Sequence, residues 1–224
     1  MQRAETGMML VAAIMVMVLM SALGAALILV TSSETMIAAN FRNSQEALYA
    51  ADAAADHALA EVAAVADWDL LLNGTIQSAF VDGAPLGTRL VHGVPLDLSQ
   101  LVSLASCRKT TTCSSAAMDA VTAERPWGAN NPRWQLYAYG EVKNAVPRTS
   151  VDSPYYVVVL VGDDPSETDG DPSDDGGGLN NPGAGVLLLR AQAFGPRSAH
   201  KTIEMAIART AGGRVRLLSW REIR

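Results

Sequence analysis

The sequence predicts an α+β fold in which one long N-terminal helix lies on an antiparallel β-sheet. Three observations predict it. An uncharged apolar run opens the chain, helix-compatible sequence continues past that run with no Gly or Pro between Gly24 and Gly74, and strand-like segments follow from Trp134 onward.

The apolar run comes first. Met8 to Val30 is 23 residues without a charge, rich in Met, Ala, Val and Leu. As a helix it extends roughly 35 Å, enough to span a bilayer. It is longer than the apolar core of a cleaved secretory signal, so the reading keeps it as a retained anchor. From Ser32 the sequence turns polar without a helix breaker. Ile37, Phe41, Leu48, Ala51, Ala55, Leu59 and Val62 recur at helical spacings, with Glu34, Arg42, Asp52, Asp56 and Glu61 mainly off that face. Taken as one element, Met8 to Ala66 is a helix about 88 Å long. The small residues around Ala51, Asp52, Ala55 and Leu59 suit close helix packing. The resulting division is a leader over residues 1–7, the helix over 8–66 with its membrane segment at 8–30, and an exported domain over 67–224.

In that domain Asp97 is placed to cap a helix running from Leu98 towards Cys107, and Ser114 or Ser115 to start another ending before Pro126. Strands are expected at Trp134 to Val142, Tyr155 to Val161, Val186 to Phe194 and Lys201 to Arg209, with Val215 to Trp220 as a further one. Tyr155 to Val161 is a continuous apolar run, fitting a central strand. Ile203, Met205 and Ile207 alternate with Thr202 and Glu204, and the turn-rich Gly195 to Ser198 joins this strand to the one before it.

Of the 23 acids, seven lie between Asp163 and Asp175, and the other 16 face 17 Lys and Arg. That balance leaves no basic stripe for a phosphate backbone and excludes nucleic acid as a partner. The arginines near the end, Arg209, Arg214, Arg216, Arg221 and Arg224, read as solvated strand and tail positions. Residues 162–185 are rich in acids, Gly and Pro and poor in apolar residues, and read as a mobile surface loop. Within it Asp169, Asp171 and Asp174 or Asp175 could offer hard oxygens to calcium, although their spacing departs from an EF-hand loop. Calcium is the one candidate ligand, against a plain acidic loop as the alternative; no cofactor is otherwise implied. Cys107 and Cys113 are close enough in sequence for a small disulfide loop if the domain lies outside the cytoplasm.

Catalysis has no frame in this sequence. No GxSxG, HExxH or P-loop occurs, and His57, His92 and His200 are better explained by a helix position, a turn and a strand start. Trp127 and Trp134, flanking Pro132, read as core or strand-edge packing more readily than as a sugar or partner platform. The expected class is a non-enzyme.

Three places together resemble the type IV pilin superfamily, and within it the PilX-like minor pilins. A short leader ending in Gly7 looks like a prepilin peptidase site, with Met8 as the new N-terminus. QEALYAADAAADHAL, from Gln45 to Leu59, is similar to the family's exposed helix segment, and the C-terminal strand pair to its closing hairpin. The resemblance implies methylation of Met8, storage in the inner membrane, an extracytoplasmic domain, and packing with other pilin or pseudopilin subunits through the helix. Major pilins carry a glutamate five residues into the mature chain, where this sequence has Ala12. A missing charge at that depth argues against a bulk filament subunit. The implied function is a minor pilin acting in assembly and function of type IV pili. The alternatives are a minor pseudopilin of a type II secretion system and a signal-anchored envelope protein with a ligand-binding domain.

Overall fold

A computed structural model describes residues 3–85, 87–121, 128–145, 152–167, 169–176, 183–210 and 212–223, with side chains from Gly7 onward. Trp127, Arg224 and residues 177–182 of the acidic stretch lie outside the described residues. The chain divides into two units, Met1–Arg42 and Asn43–Arg224. The first is helix throughout its described length. The second contains the remainder of that helix and every strand among the described residues.

Helix α1 is Arg3–Val62. It begins within the expected leader and ends four residues short of Ala66. The early end has a physical cause. Ala64 and Val65 turn tightly onto the carbonyls of Glu61 and Val62, and the Trp68 indole donates to the Val62 carbonyl at 3.2 Å. The Arg209 guanidinium then donates to the carbonyls of Val65 at 2.7 Å and Ala66 at 2.5 Å while stacking on the Trp68 ring. These donors take up carbonyls that a continuing helix would otherwise bond. The solvated role expected for Arg209 is thereby corrected: it closes the helix end.

A one-turn helix α2 (Asp69–Leu72) leads to a hairpin of β1 (Thr88–Val91) and β2 (Val94–Asp97), turned by His92 and Gly93 at positive φ. Two successive residues in that conformation give the tight turn that matches strand twist. Helix α3 (Leu98–Cys107) is capped as expected, with the Asp97 carboxylate accepting the N–H of Ser99 and Gln100. Ser114 caps α4 (Ser115–Asp119), which ends well before Pro126.

The main sheet comprises β3 (Gln135–Glu141), β4 (Tyr156–Asp163), β5 (Val186–Phe194), β6 (His200–Arg209) and β7 (Val215–Ile223), with a short α5 (Val142–Ala145) between the first two. The strands lie in sequence order and every neighbouring pair is antiparallel. All eight residues of β4 are buried, because both faces are covered. Val157, Val159 and Val161 join Leu187, Leu189, Ile203, Met205 and Ile207 under the C-terminal part of α1. Tyr156, Val158 and Leu160 meet Leu98, Leu101 and Trp134 on the opposite side. The long helix packed on an antiparallel five-stranded sheet is the expected α+β arrangement, here with a second apolar layer behind the sheet.

Candidate functional site

The first unit carries an exposed apolar surface. Met8 to Val30 exposes its large apolar side chains, among them Met9, Leu10, Met15, Leu19, Leu27 and Ile28. Among the described residues, one helix is long and apolar enough to cross a membrane, and this is its apolar part. Where polarity begins, Thr31, Ser33 and Thr35 return their hydroxyls to carbonyls four residues back, and Ser32 to one three residues back, at 2.8–3.0 Å. Hydroxyls bonded to their own backbone need no water, so the polar transition adds little desolvation cost at a membrane boundary. Gly7 and Met8, the expected processing pair, are both exposed, and nothing lies within 4 Å of a side chain placed at Gly7.

The second unit uses the rest of the helix as one face of its core. Ala47, Ala51, Ala55, Ala58 and Val62 are fully buried against the sheet, and Leu48, Ala54 and Leu59 border them. Alanine at those spacings lets the helix backbone approach the sheet closely. The expectation that Ala51 and Ala55 pack on neighbouring subunits is corrected, since both are occupied by the chain's own core. Tyr49, Ala53 and Asp56 remain on the exposed side, and Ile37 and Phe41 are exposed as well. Asp52 sits between the faces and accepts the Trp220 indole N–H at 2.8 Å. Tyr155 donates its hydroxyl to the Asn43 carbonyl at 2.9 Å.

Cys107, the last residue of α3, and Cys113 stand at S–S bonding distance, 2.02 Å. Arg108, between them in a left-handed conformation, reverses the chain after the helix. This pair fastens the end of α3 to the segment leading into α4.

The acidic stretch does not lie wholly on the surface. β4 runs on into Asp163, which is fully buried, and Glu167 is 1% exposed. Asp163, Glu167 and Asp175 bring one carboxylate oxygen each to within 4.8 Å of one another. Burial, with the Glu167 carboxylate close by, pushes the Asp163 carboxyl up to about 8, and burial pushes Asp175 up to about 6. Of the residues read from sequence as calcium ligands, Asp175 belongs to this group. Asp169 and Asp171 fold their carboxylates onto the N–H of Asp171 and Ser173, and Asp174 is exposed. Asp163 and Glu167 were not singled out by spacing. The available signal was the apolar run of β4, whose inward parity carries through to Asp163.

The histidines each have a local setting. His57 lies 3.8 Å from Glu61 and edge-on to Phe80, His92 bonds the Pro154 carbonyl at 2.5 Å, and His200 stacks on Phe194. Trp134 is core, 4% exposed, with Arg190 stacked on its ring.

Compared with known proteins, residues 6–56 match a family model described as PilX N-terminal. No curated protein and no solved structure matches the chain. The matched stretch holds Gly7, the apolar run, and most of the segment from Gln45 that carried the resemblance. Over those residues, within a long helix whose C-terminal part packs on an antiparallel sheet, the chain is similar to the N-terminal region of PilX-like proteins.

Proposed function

We propose that the protein is a minor pilin subunit that acts in the assembly of type IV pili. One observation carries the reading. A single helix joins an exposed, uncharged membrane-length segment to an alanine face packed into a domain, within a stretch matching the PilX N-terminal family. Such an element can store the subunit in the inner membrane and later pack among like helices, where close van der Waals contact holds apolar helices together. Prepilin peptidase removes residues 1–7, the domain faces the extracytoplasmic side, and its role is structural.

Mass spectrometry of the protein extracted from membranes of its own cell tests this. The expected mature chain starts at Met8 with a methylated amine. An intact Met1 start, or a start beyond Gly24, overturns the reading.

A further inference from the structure

We propose that Asp163, Glu167 and Asp175 form a calcium site that joins the end of β4 to the start of β5. The three come from a strand end, the turn after it and the far side of the acidic stretch. Each is held by its surroundings. The Asp163 carboxylate accepts the Asp164 N–H at 2.8 Å, and the Glu167 N–H donates to the Asp164 carbonyl at 3.1 Å. Asp175 accepts the Gly185 N–H at 2.6 Å, while its own N–H donates to Asp69 at 2.9 Å. A side chain at Gly183 would come within 2.3 Å of the Glu167 Cγ, so this backbone closes directly over the cluster.

The second oxygen of Asp163 points to a ligand. It is buried on a residue with no exposed surface, and no donor among the described residues reaches it. A buried carboxylate oxygen without a donor costs on the order of 1–3 kcal/mol or more, and two further carboxylates beside it raise that cost by repulsion. A cation reverses both terms. Beside the cluster, Asn130 donates its amide to the Glu167 carbonyl, and its own Oδ1 is also buried with no donor among the described residues.

The chemistry selects the ion. Three carboxylate oxygens are hard ligands, which excludes metals that favour sulfur or imidazole. Calcium binds oxygen at roughly 2.3–2.6 Å, so two ligands on opposite sides of it lie about 5 Å apart. A set of oxygens spread over as much as 4.8 Å fits one calcium sphere. Magnesium, with bonds near 2.1 Å and a strict octahedron, would need the cluster to contract.

The test is calorimetric titration of the full-length chain in detergent with calcium chloride after removal of divalent ions. One ion per chain is expected, with a Kd on the order of 10⁻⁴ to 10⁻³ M, the range of extracellular modules. Asp163→Asn and Asp175→Asn should each weaken binding about 10-fold or more, a loss matching about 1.4 kcal/mol. Both are isosteric and remove repulsion, so calcium-free thermal unfolding should show them folded and no less stable than the parent. The triple variant Asp169→Asn, Asp171→Asn, Asp174→Asn should bind as the parent does. No uptake by the parent chain up to about 10 mM, ten times the weak end of that range, overturns the site. So does parent-like binding by Asp163→Asn, or a loss confined to the triple variant.

Discussion

Trp220, on the last strand, donates its indole N–H to the Asp52 carboxylate on α1, 2.8 Å away and 168 residues earlier in the chain. The bond ties the free edge of the sheet to the helix that covers it. Both groups are partly solvated, so its contribution is that of an ordinary charge-assisted bond, about 1 kcal/mol. Asp52→Ala and Trp220→Phe should each cost about that much in denaturant unfolding. Their double variant should cost clearly less than the sum, because one bond is lost in all three. Full additivity would show that the two residues act separately.

The helix has two faces with opposite sensitivities. Ala55 is fully buried against the sheet and Ala53 is exposed. Ala55→Glu forces both volume and a charge into a packed layer and should cost about 3 kcal/mol or more, or prevent folding. Ala53→Glu should leave stability within about 0.5 kcal/mol. Under the proposed function, Ala53→Glu is the informative variant for assembly, because a defect there with normal stability reports on neighbours and not on the fold. Protease resistance and pilus assembly, measured on both variants at matched protein levels, separate the two effects.

The strands and helix caps were legible because their signals are local. Asp97 and Ser114 cap the helices that their spacing indicates, and Ile203, Met205 and Ile207 fill the core that their alternation indicates. The β1–β2 hairpin was not legible, since TRLV and VPLD are short, polar or proline-bearing, and the His92–Gly93 turn lacks the usual Asn or Asp. Arg209 and the Asp163 cluster were missed for another reason. Their roles depend on partners 24 to 144 residues away for Arg209 (Gly185, Val65) and up to 12 for Asp163 (Asp175), in segments that composition alone reads as solvent-facing. The helix was expected to lie on the sheet, but that Ala51 and Ala55 are the residues that meet it was not legible, because a stripe of small residues fits a sheet of the same chain as well as a neighbouring helix.

Gly195 precedes β6 in an extended conformation that any residue adopts, yet a Cβ there would lie 2.0 Å from the Tyr155 ring. Tyr155 cannot yield easily, being 2% exposed and bonded through its hydroxyl to the Asn43 carbonyl on α1. Gly195→Ala should therefore destabilise the domain by about 1–3 kcal/mol through overpacking. Combining it with Tyr155→Phe should recover little, since the ring itself remains. Combining it with Tyr155→Leu should recover part of the loss. A neutral Gly195→Ala in thermal unfolding would show that the ring moves freely.

Reduction of the Cys107–Cys113 bond should cost about 2 kcal/mol, the loop-closure value for so short a loop. The effect should be local. The pair closes the end of α3, whose Leu98 and Leu101 belong to the layer behind the sheet and not to the layer under α1. Hydrogen exchange of the Cys107→Ser, Cys113→Ser variant should rise in α3 and α4 while β5 and β6 stay protected. Uniform acceleration across the sheet would show that the bond stabilises the whole domain.

Glu204 holds the outer face of the sheet together. It is 5% exposed and lies between two arginines, with Arg190 on one carboxylate oxygen at 2.8 and 3.2 Å and Arg221 on the other. Arg190 is directly opposite on β5 and Arg221 opposite on β7, so the ion pairs run across three strands in register. Glu204→Ala leaves two guanidinium groups facing each other over a buried gap and should cost about 3 kcal/mol. The arginines should differ. Arg221 has 55% of its side chain exposed, so Arg221→Ala should cost well under 1 kcal/mol after solvent screening. Arg190 is 21% exposed and stacks on Trp134 at 4.4 Å, so Arg190→Ala should cost more, about 1–2 kcal/mol, through lost packing as well as charge. Added salt should narrow the loss for Arg221→Ala and leave that for Arg190→Ala nearly unchanged, because screening reaches exposed pairs first. Equal losses for the two arginines in denaturant unfolding would show that burial does not set their weight.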